Sequence, residues 1–288
     1  MNKFYLIDKP LNFTSFDVIR ILRKTLNTKK MGHTGTLDPL ATGGLLIAVG
    51  NYTKLIPYFE KDTKEYEFTV NLDGTTDSFD LAEEINFLDK SLQKKYSKEL
   101  TIDKLQKIIE KKFTGKITQV PPKYSALKIN GRKACDLVRE GKDVEIKSRE
   151  VTILNIEIQD FKYPSLSLKA LVTAGTYIRS IAADLGELLG TGGYVTKLRR
   201  TKIGALDISL GQILDNFDEK KSLDIKQLFR NKEFVKLDKE VLKKINHGLK
   251  VVGKFDFKVG EDLFVYDENE VTNIIQYDGE KLIPKRKI

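Results

Sequence analysis

Apolar positions recur along the chain with two different spacings, and each predicts its own element. Phe4-Tyr5-Leu6-Ile7 reads as a short strand and Asp8-Lys9-Pro10-Leu11-Asn12 as a turn. Thr14-Ser15-Phe16-Asp17 has the form of a capping box, opening a helix that turns Val18, Ile19, Leu22 and Leu26 inward. A Gly/Thr-rich loop over 31–44 leads into a buried strand, Leu45–Val49, and Tyr66–Leu72 alternates as a strand does. Helical spacing returns over Thr101–Phe113, where Leu105, Ile108, Ile109 and Phe113 share a face. Val151–Gln159 and Leu166–Thr173 read as strands. The turn Ala174-Gly175-Thr176 then opens a helix with Ile178, Ile181, Ala182, Leu185 and Leu189 at helical spacing. Strands and helices interleave without regular alternation, which predicts a mixed α+β domain.

Two segments break this pattern. Residues 119–141 are basic and start with Val120-Pro121-Pro122, with little periodicity, which marks a loop or insertion. Beyond about Asp215 the chain turns lysine- and aspartate-rich. Short apolar runs at turn-like spacing then follow over 251–288, including Leu263-Phe264-Val265-Tyr266, which predicts a small separate β domain. No period of 20–50 residues appears, which argues against solenoids and propellers.

Composition narrows the function classes. The 288 residues hold one cysteine, Cys135, and two histidines, His33 and His247, which rules out an internal disulfide and the usual structural zinc sets. The longest apolar run, Leu45–Val49, is far short of a membrane span, and the first apolar stretch meets Asp8 at once, so the expectation is a cytoplasmic protein without a leader. The net charge is +9 and uneven: 61–90 is acidic and 91–150 basic. Clustered positive charge suits a polyphosphate ligand as well as it suits a solvated surface.

The densest candidate site is Gly32-His33-Thr34-Gly35-Thr36-Leu37-Asp38-Pro39-Leu40-Ala41-Thr42-Gly43-Gly44. Its glycines permit close backbone approach, and a carboxylate before proline is held in an extended or turn geometry. On pattern alone it is a surface loop or a weak phosphate cradle, since no Gly-Lys-Ser/Thr follows.

This stretch closely resembles the aspartate motif of the TruB family, the tRNA pseudouridine-55 synthases, and the resemblance continues in order along the chain. It takes in Ile7-Asp8-Lys9-Pro10 with Thr14-Ser15, Lys64-Glu65-Tyr66, and 119–128 with Gly131. Gly175-Thr176-Tyr177-Ile178-Arg179-Ser180 with Asp184-Leu185-Gly186, and Leu198-Arg199-Arg200-Thr201, complete it. Asn12, Asp73, Ala82-Glu83 and Cys135 depart from the family pattern, at positions where glycine, or for Cys135 tyrosine, is usual.

The resemblance implies a pseudouridine synthase fold: a mixed, mostly antiparallel sheet flanked by helices, with a small PUA-like β domain at the C-terminal end. Residues 1–230 would form the catalytic domain, with an RNA-gripping insertion at about 115–145, and 235–288 a small RNA-binding β domain. The implied reaction detaches the uracil of one tRNA T-loop uridine and rejoins it through C5, with no cofactor and no metal. The implied partner is tRNA, with no membrane and no obligate protein partner. Asp38 aligns with the essential aspartate, attacking ribose or base or abstracting a sugar proton, and Arg179 with the cation that keeps it ionised against desolvation. Tyr66 aligns with the tyrosine stacking on the flipped base, and His33 with a residue filling the gap that the base leaves. Tyr177 and Leu198 align with pocket-lining residues, and Lys9 joins the substrate-binding set. Lys123, Lys128, Arg132, Lys133 and Arg139 would meet tRNA phosphates. Read without the resemblance, Tyr66, Tyr177 and Leu198 are equally core residues and Arg179 a surface helix residue. The rival functional reading is an RNA-binding protein or tRNA-folding chaperone on the same scaffold, which has no need of Asp38.

Overall fold

The computed structural model describes residues 1–288. A ten-stranded sheet runs through the molecule in the spatial order Gln212–Ile213, Lys3–Lys9, Ala41–Val49, Tyr194–Ile203, Lys64–Asn71, Ser165–Val172, Arg149–Lys162, Gly115–Gln119. Met31–His33 and Leu206–Asp207 pair at its margins. The pairing is mostly antiparallel. One parallel pair lies near the middle, where Leu198 faces Ala41 and Arg200 faces Gly43. That pair places the loop ahead of Ala41 beside Leu198.

Thr14 caps the first helix, Ser15–Thr25, with the reciprocal Thr14–Asp17 capping box that the sequence predicts. Val18, Ile19 and Leu22 of this helix pack on Tyr5, Ile7, Leu45 and Ile47. The opposite face of the same strands carries Phe4, Leu6, Leu46 and Ala48 into a second core with the 3-10 helix Gly50–Phe59. Both faces of Lys3–Lys9 and Ala41–Val49 are therefore covered, which is why these strands read as continuous apolar runs rather than alternations. A third core joins the helices Ile102–Lys112 and Ile178–Leu189 to Phe68, Val70, Leu166 and Leu168.

Several boundaries move. The strand expected at Leu45–Val49 begins at Ala41, and Met31–His33, expected as loop, pairs with it, because this sheet position is buried on both sides and recruits short flanking pairs. Residues 119–141 are not featureless: Lys128–Ile129 and Arg132–Lys133 form a hairpin, and Ala134–Arg139 a short helix. Asn130 (φ 50°) and Gly131 (φ 83°) both take the left-handed backbone that a two-residue hairpin turn requires. Asn12 adopts φ 65°, the conformation open to the glycine usual there, so the departure leaves such a turn available. The helix Lys90–Glu99 buries no residue and has no apolar stripe to announce it.

The C-terminal strands form a five-stranded sheet, ordered Glu233–Val235, Asp262–Asp267, Glu270–Tyr277, Lys281–Lys287, Val251–Val252. It is less separate than the sequence suggests. One side encloses its own core of Leu263, Val265, Ile275 and Leu282. The other shares the core of Phe4, Leu6 and Phe59, contributing Phe264, Val271, Ile274 and Ile288. Phe229 stands between the two sheets, 4.9 Å from Phe59 and 4.9 Å from Phe264, ring centre to ring centre. No helix is long and apolar enough to cross a membrane.

A shared aromatic core couples the two sheets in unfolding. Phe229→Ala is expected to destabilise the protein by about 3–5 kcal/mol, with urea transitions followed by circular dichroism and tyrosine fluorescence still coinciding. Two separated transitions in the unsubstituted chain would contradict the coupling.

Candidate active site

A cleft of about 360 Å³ opens over the central strands and is lined by Asp38, Tyr66, Tyr177, Arg179 and Leu198, among others. Five residues from four separate stretches of the sequence, each singled out from it, thus converge on one cavity.

The loop bearing Asp38 is pinned from three sides. Ser15, at the start of the first helix, donates its hydroxyl to the Leu37 carbonyl (3.1 Å) and accepts from the Leu37 N–H (2.8 Å). Lys9 is fully buried, and its ammonium donates to the carbonyls of Pro10 (2.9 Å), Phe13 (2.6 Å) and Pro39 (3.3 Å). Arg200, also buried, donates to the carbonyls of Gly44 (2.7 Å) and Gly35 (3.1 Å). The Arg200 backbone lies so close to Gly43 that a Cβ there would stand 2.2 Å from the Arg200 carbonyl oxygen, at a φ of +103°. Only glycine allows that approach.

The resemblance places Lys9 in the substrate-binding set, and here its ammonium is turned onto the Asp38 loop and its approach. All three ammonium protons point at loop carbonyls and no surface remains for a ligand. Burial lowers its pKa to about 8, against the opposing pull of Asp38.

Asp38 and Arg179 meet as an ion pair, Nε to Oδ2 at 2.9 Å, off the line of an ideal hydrogen bond. Their exposures differ sharply: Asp38 keeps 34% of its side-chain surface and Arg179 only 4%. The guanidinium is held all round. Nη1 donates to the Ser78 carbonyl (2.9 Å) and lies 3.6 Å from the Asp80 carboxylate, while Nη2 donates to the Tyr124 carbonyl (3.0 Å). Arg179 is thus a buried cation, not the surface helix residue that its sequence position also allowed. Asp80 is itself fixed, accepting from the Ser78 hydroxyl (2.6 Å) and the Ala82 N–H (3.0 Å).

Opposing influences act on the Asp38 carboxyl. Burial pushes its carboxyl above the ordinary carboxylate range; Arg179 pulls it back down, Asp80 pushes it further up, and Lys9 lowers it by a smaller amount. The net direction is upward. Arg179 offsets only part of the desolvation, and Asp80, which faces the same guanidinium, adds to the upward push.

Tyr66 sits in the strand Lys64–Asn71, level with Arg200 on one side and Ala170 on the other, half-buried at the cleft wall. Leu198 and Tyr177 are also half-buried there, between core and cavity. His33 is close by in sequence but does not line the cleft; its neighbour Thr34 does. Its imidazole is drawn below its ordinary pKa by burial and by Arg200, and Nδ1 is buried without a partner. On the insertion, Lys123, Lys128, Arg132, Lys133 and Arg139 are all exposed. Lys123 pairs with Asp143 (3.0 Å) and Arg132 with Glu140, leaving Lys128, Lys133 and Arg139 without a carboxylate partner. The foot of the insertion is anchored on the helix that carries Arg179, through Ser180 to the Val120 carbonyl (2.7 Å) and through Gln119 to the backbone of Tyr177 (2.8 and 3.0 Å).

Sequence reasoning missed Asp80, Lys64, Arg149 and Arg200 as site residues; the last three line the cleft and Asp80 touches Arg179. Lys64 and Arg200 lay inside motif stretches, but nothing in spacing distinguished them from their neighbours. No group of three or more His, Cys, Asp or Glu side chains is placed to hold a metal ion.

With this geometry in view, the similarity to known proteins is specific. Residues 23–178 match the model of the TruB family pseudouridylate synthase N-terminal domain, and residues 179–241 that of the tRNA pseudouridylate synthase B C-terminal domain. The chain is 38% identical to a tRNA pseudouridine synthase B of Francisella tularensis subsp. holarctica, across 99% of this chain and 94% of the relative. It is 37% identical, over the same shares, to that of Francisella philomiragia subsp. philomiragia. Among solved structures, a chain of a Cbf5–Nop10–Gar1 complex superposes with a TM-score of 0.69 at 22% identity, covering 99% of this chain and 84% of that one. A chain of an H/ACA RNP bound to a substrate RNA containing 2′-deoxyuridine gives 0.68 at 20% identity, covering 99% and 84%. The two structural likenesses speak for the fold, and the matched family models with the near-full-length identity establish kinship: the chain belongs to the TruB family of pseudouridylate synthases.

Proposed function

We propose that this protein isomerises uridine to pseudouridine at position 55 in the T loop of tRNA. Asp38 acts on a uridine flipped into the cleft, and no cofactor takes part. The observation that carries this reading is the Asp38–Arg179 pair: a carboxylate open to the cleft over a third of its surface, backed by a cation with almost no exposure. Such an arrangement spends no motion on charge stabilisation when substrate arrives, because the guanidinium is already oriented.

The reaction exchanges one bond for another. The C1′–N1 bond breaks, the uracil turns, C1′ bonds to C5, and the C5 proton is lost while N1 ends protonated. The detached base must stay captive throughout. Tyr66 and Leu198 offer it an aromatic and an aliphatic wall, and stacking of this kind is worth about 1–3 kcal/mol per base. That is comparable to the few kcal/mol that extruding a base from its stack costs. A carboxyl raised above its ordinary range is a better nucleophile and base than a solvated one, provided it is ionised. The exposed cations of the insertion, Lys123, Lys128, Arg132, Lys133 and Arg139, supply phosphate contacts that position the RNA without reading its sequence.

The primary test is incubation with unmodified tRNA transcript followed by mapping of pseudouridine. Conversion at position 55 by the wild type and none by Asp38→Asn is expected. Conversion by Asp38→Asn would remove the carboxylate from the chemistry, and binding without conversion by the wild type would favour the chaperone reading.

Arg179→Lys is expected to lower single-turnover rates by about 10²–10³-fold with tRNA affinity within about twofold, because an ammonium cannot reach Asp38, Ser78 and Tyr124 together. Near-normal turnover would free Arg179 from this role.

The pH–rate profile carries a sign. Activity depends on the Asp38 anion, so the rate should climb with pH through an acid limb lying above the ordinary aspartate value of about 3.9. Removing the neighbouring negative charge with Asp80→Asn should move that limb to lower pH, since Asp80 raises the Asp38 pKa. A limb that stays put or moves upward in Asp80→Asn would contradict the assignment.

A further inference from the structure

Four cations and two carboxylates line the cleft: Lys64, Arg149, Arg179 and Arg200 against Asp38 and Glu60. Three of the cations are committed. Arg179 is enclosed by Asp38, Asp80 and two carbonyls. Arg200 is buried against the carbonyls of Gly35 and Gly44. Lys64 is buried and donates to the Asp62 carbonyl at 2.7 Å. Arg149 differs from all three. It is half-buried at the cleft wall, forms no ion pair with any carboxylate, and uses Nη2 on the Gly175 carbonyl while its Nε is buried without a partner.

Its orientation is nonetheless fixed. The guanidinium carbon lies 4.8 Å from the centre of the Tyr177 ring, in a cation–π contact. Directly opposite Arg149 on the neighbouring strand is Gln119, whose side-chain amide clasps the Tyr177 backbone at both its N–H and its carbonyl. One residue pair, facing across two strands, therefore holds the Tyr177 turn from both sides. Arg149 retains donors for the cavity.

We infer that Arg149 is a substrate-binding residue that takes a phosphodiester flanking the nucleotide whose base enters the cleft. This rests on the proposed function for the identity of the RNA. A guanidinium resting on the Tyr177 ring, with Nη1 unpartnered and not buried, presents a charged donor to a phosphate oxygen. A nucleotide turned into a cavity brings its own phosphates to the rim, where an anion without a counter-charge would oppose entry. Arg149 is the cleft cation open to receive it. Its position at the return of the insertion also means that the phosphate contact and the basic segment 115–145 are joined through one strand end.

The test is a binding cycle on a T-arm stem-loop RNA in which the phosphodiester on either side of the target uridine is replaced, one at a time, by an uncharged methylphosphonate. For the wild type, one of the two replacements should weaken binding about tenfold, as expected for loss of a charge-assisted bond. Arg149→Gln should weaken binding of the natural RNA about as much, show no further loss with the same methylphosphonate, and lower the slope of log Kd against log salt by about 0.7. Arg149→Lys, which keeps a point charge, should regain sensitivity to that linkage.

Equal wild-type binding of all three RNAs overturns the inference. So do losses from Arg149→Gln and from the methylphosphonate that simply multiply, which is the signature of an arginine that only supports the Tyr177 turn. A site for free phosphate would ignore the linkage and be titrated by inorganic phosphate alone. Should Arg149→Gln fail to fold, the wild-type linkage effect and the Arg149→Lys cycle still decide. Failure of the wild type to convert uridine would refute the proposed function without touching this binding result.

Discussion

The Arg179 guanidinium, enclosed on every side and nearly cut off from water, is the interaction on which the site depends. Its partners come from three separate stretches of chain: the Asp38 loop, the acidic loop at Ser78 and Asp80, and the foot of the insertion at Tyr124. A buried charge with any of these missing would be costly, so each stretch is constrained to arrive in the right place. The same network that holds the cation therefore assembles the cleft. Lys9 and Arg200 perform a parallel service for the Asp38 loop, turning backbone carbonyls inward onto buried cations.

The consequence for Asp38 is a balance rather than a simple pairing. A single arginine shared with a second carboxylate restrains the desolvation without cancelling it, which leaves Asp38 more basic than a solvated aspartate. Asp80 adds to the upward push, an influence invisible to any reading that considers Asp38 and Arg179 alone.

Much of this was legible in the sequence where physics is local. The Thr14–Asp17 capping box, the helical spacing of Leu105 and Ile109, and that of Ile178, Ile181 and Leu185, all survive in the fold because caps and amphipathic faces depend on near neighbours. The motifs carrying Asp38, Tyr66 and Arg179 were visible too, and converge. What escaped were residues whose role lies in distant backbone. The three carbonyl partners of Lys9 lie in segments whose meeting no local pattern announces, and Arg200 owes its task to a parallel strand pair that no periodicity reveals. Asn130-Gly131, by contrast, is a local hairpin signal carried by the sequence itself. The helix Lys90–Glu99 had no such signal, having no buried face to leave an imprint.

The aromatic core between the two sheets bears on the order in which the protein can be made. Phe4 and Leu6 belong to the first strand, yet the side chains that cover them include Phe229, Phe264, Ile274 and Ile288. During synthesis Tyr52, Leu55 and Phe59 can cover part of that outer face early, but the rest of this core closes only once the strands beyond residue 260 are available, across a long sequence separation. A chain lacking the segment from residue 264 onward would leave Phe4, Leu6 and Phe59 without the cover of Phe264, Ile274 and Ile288.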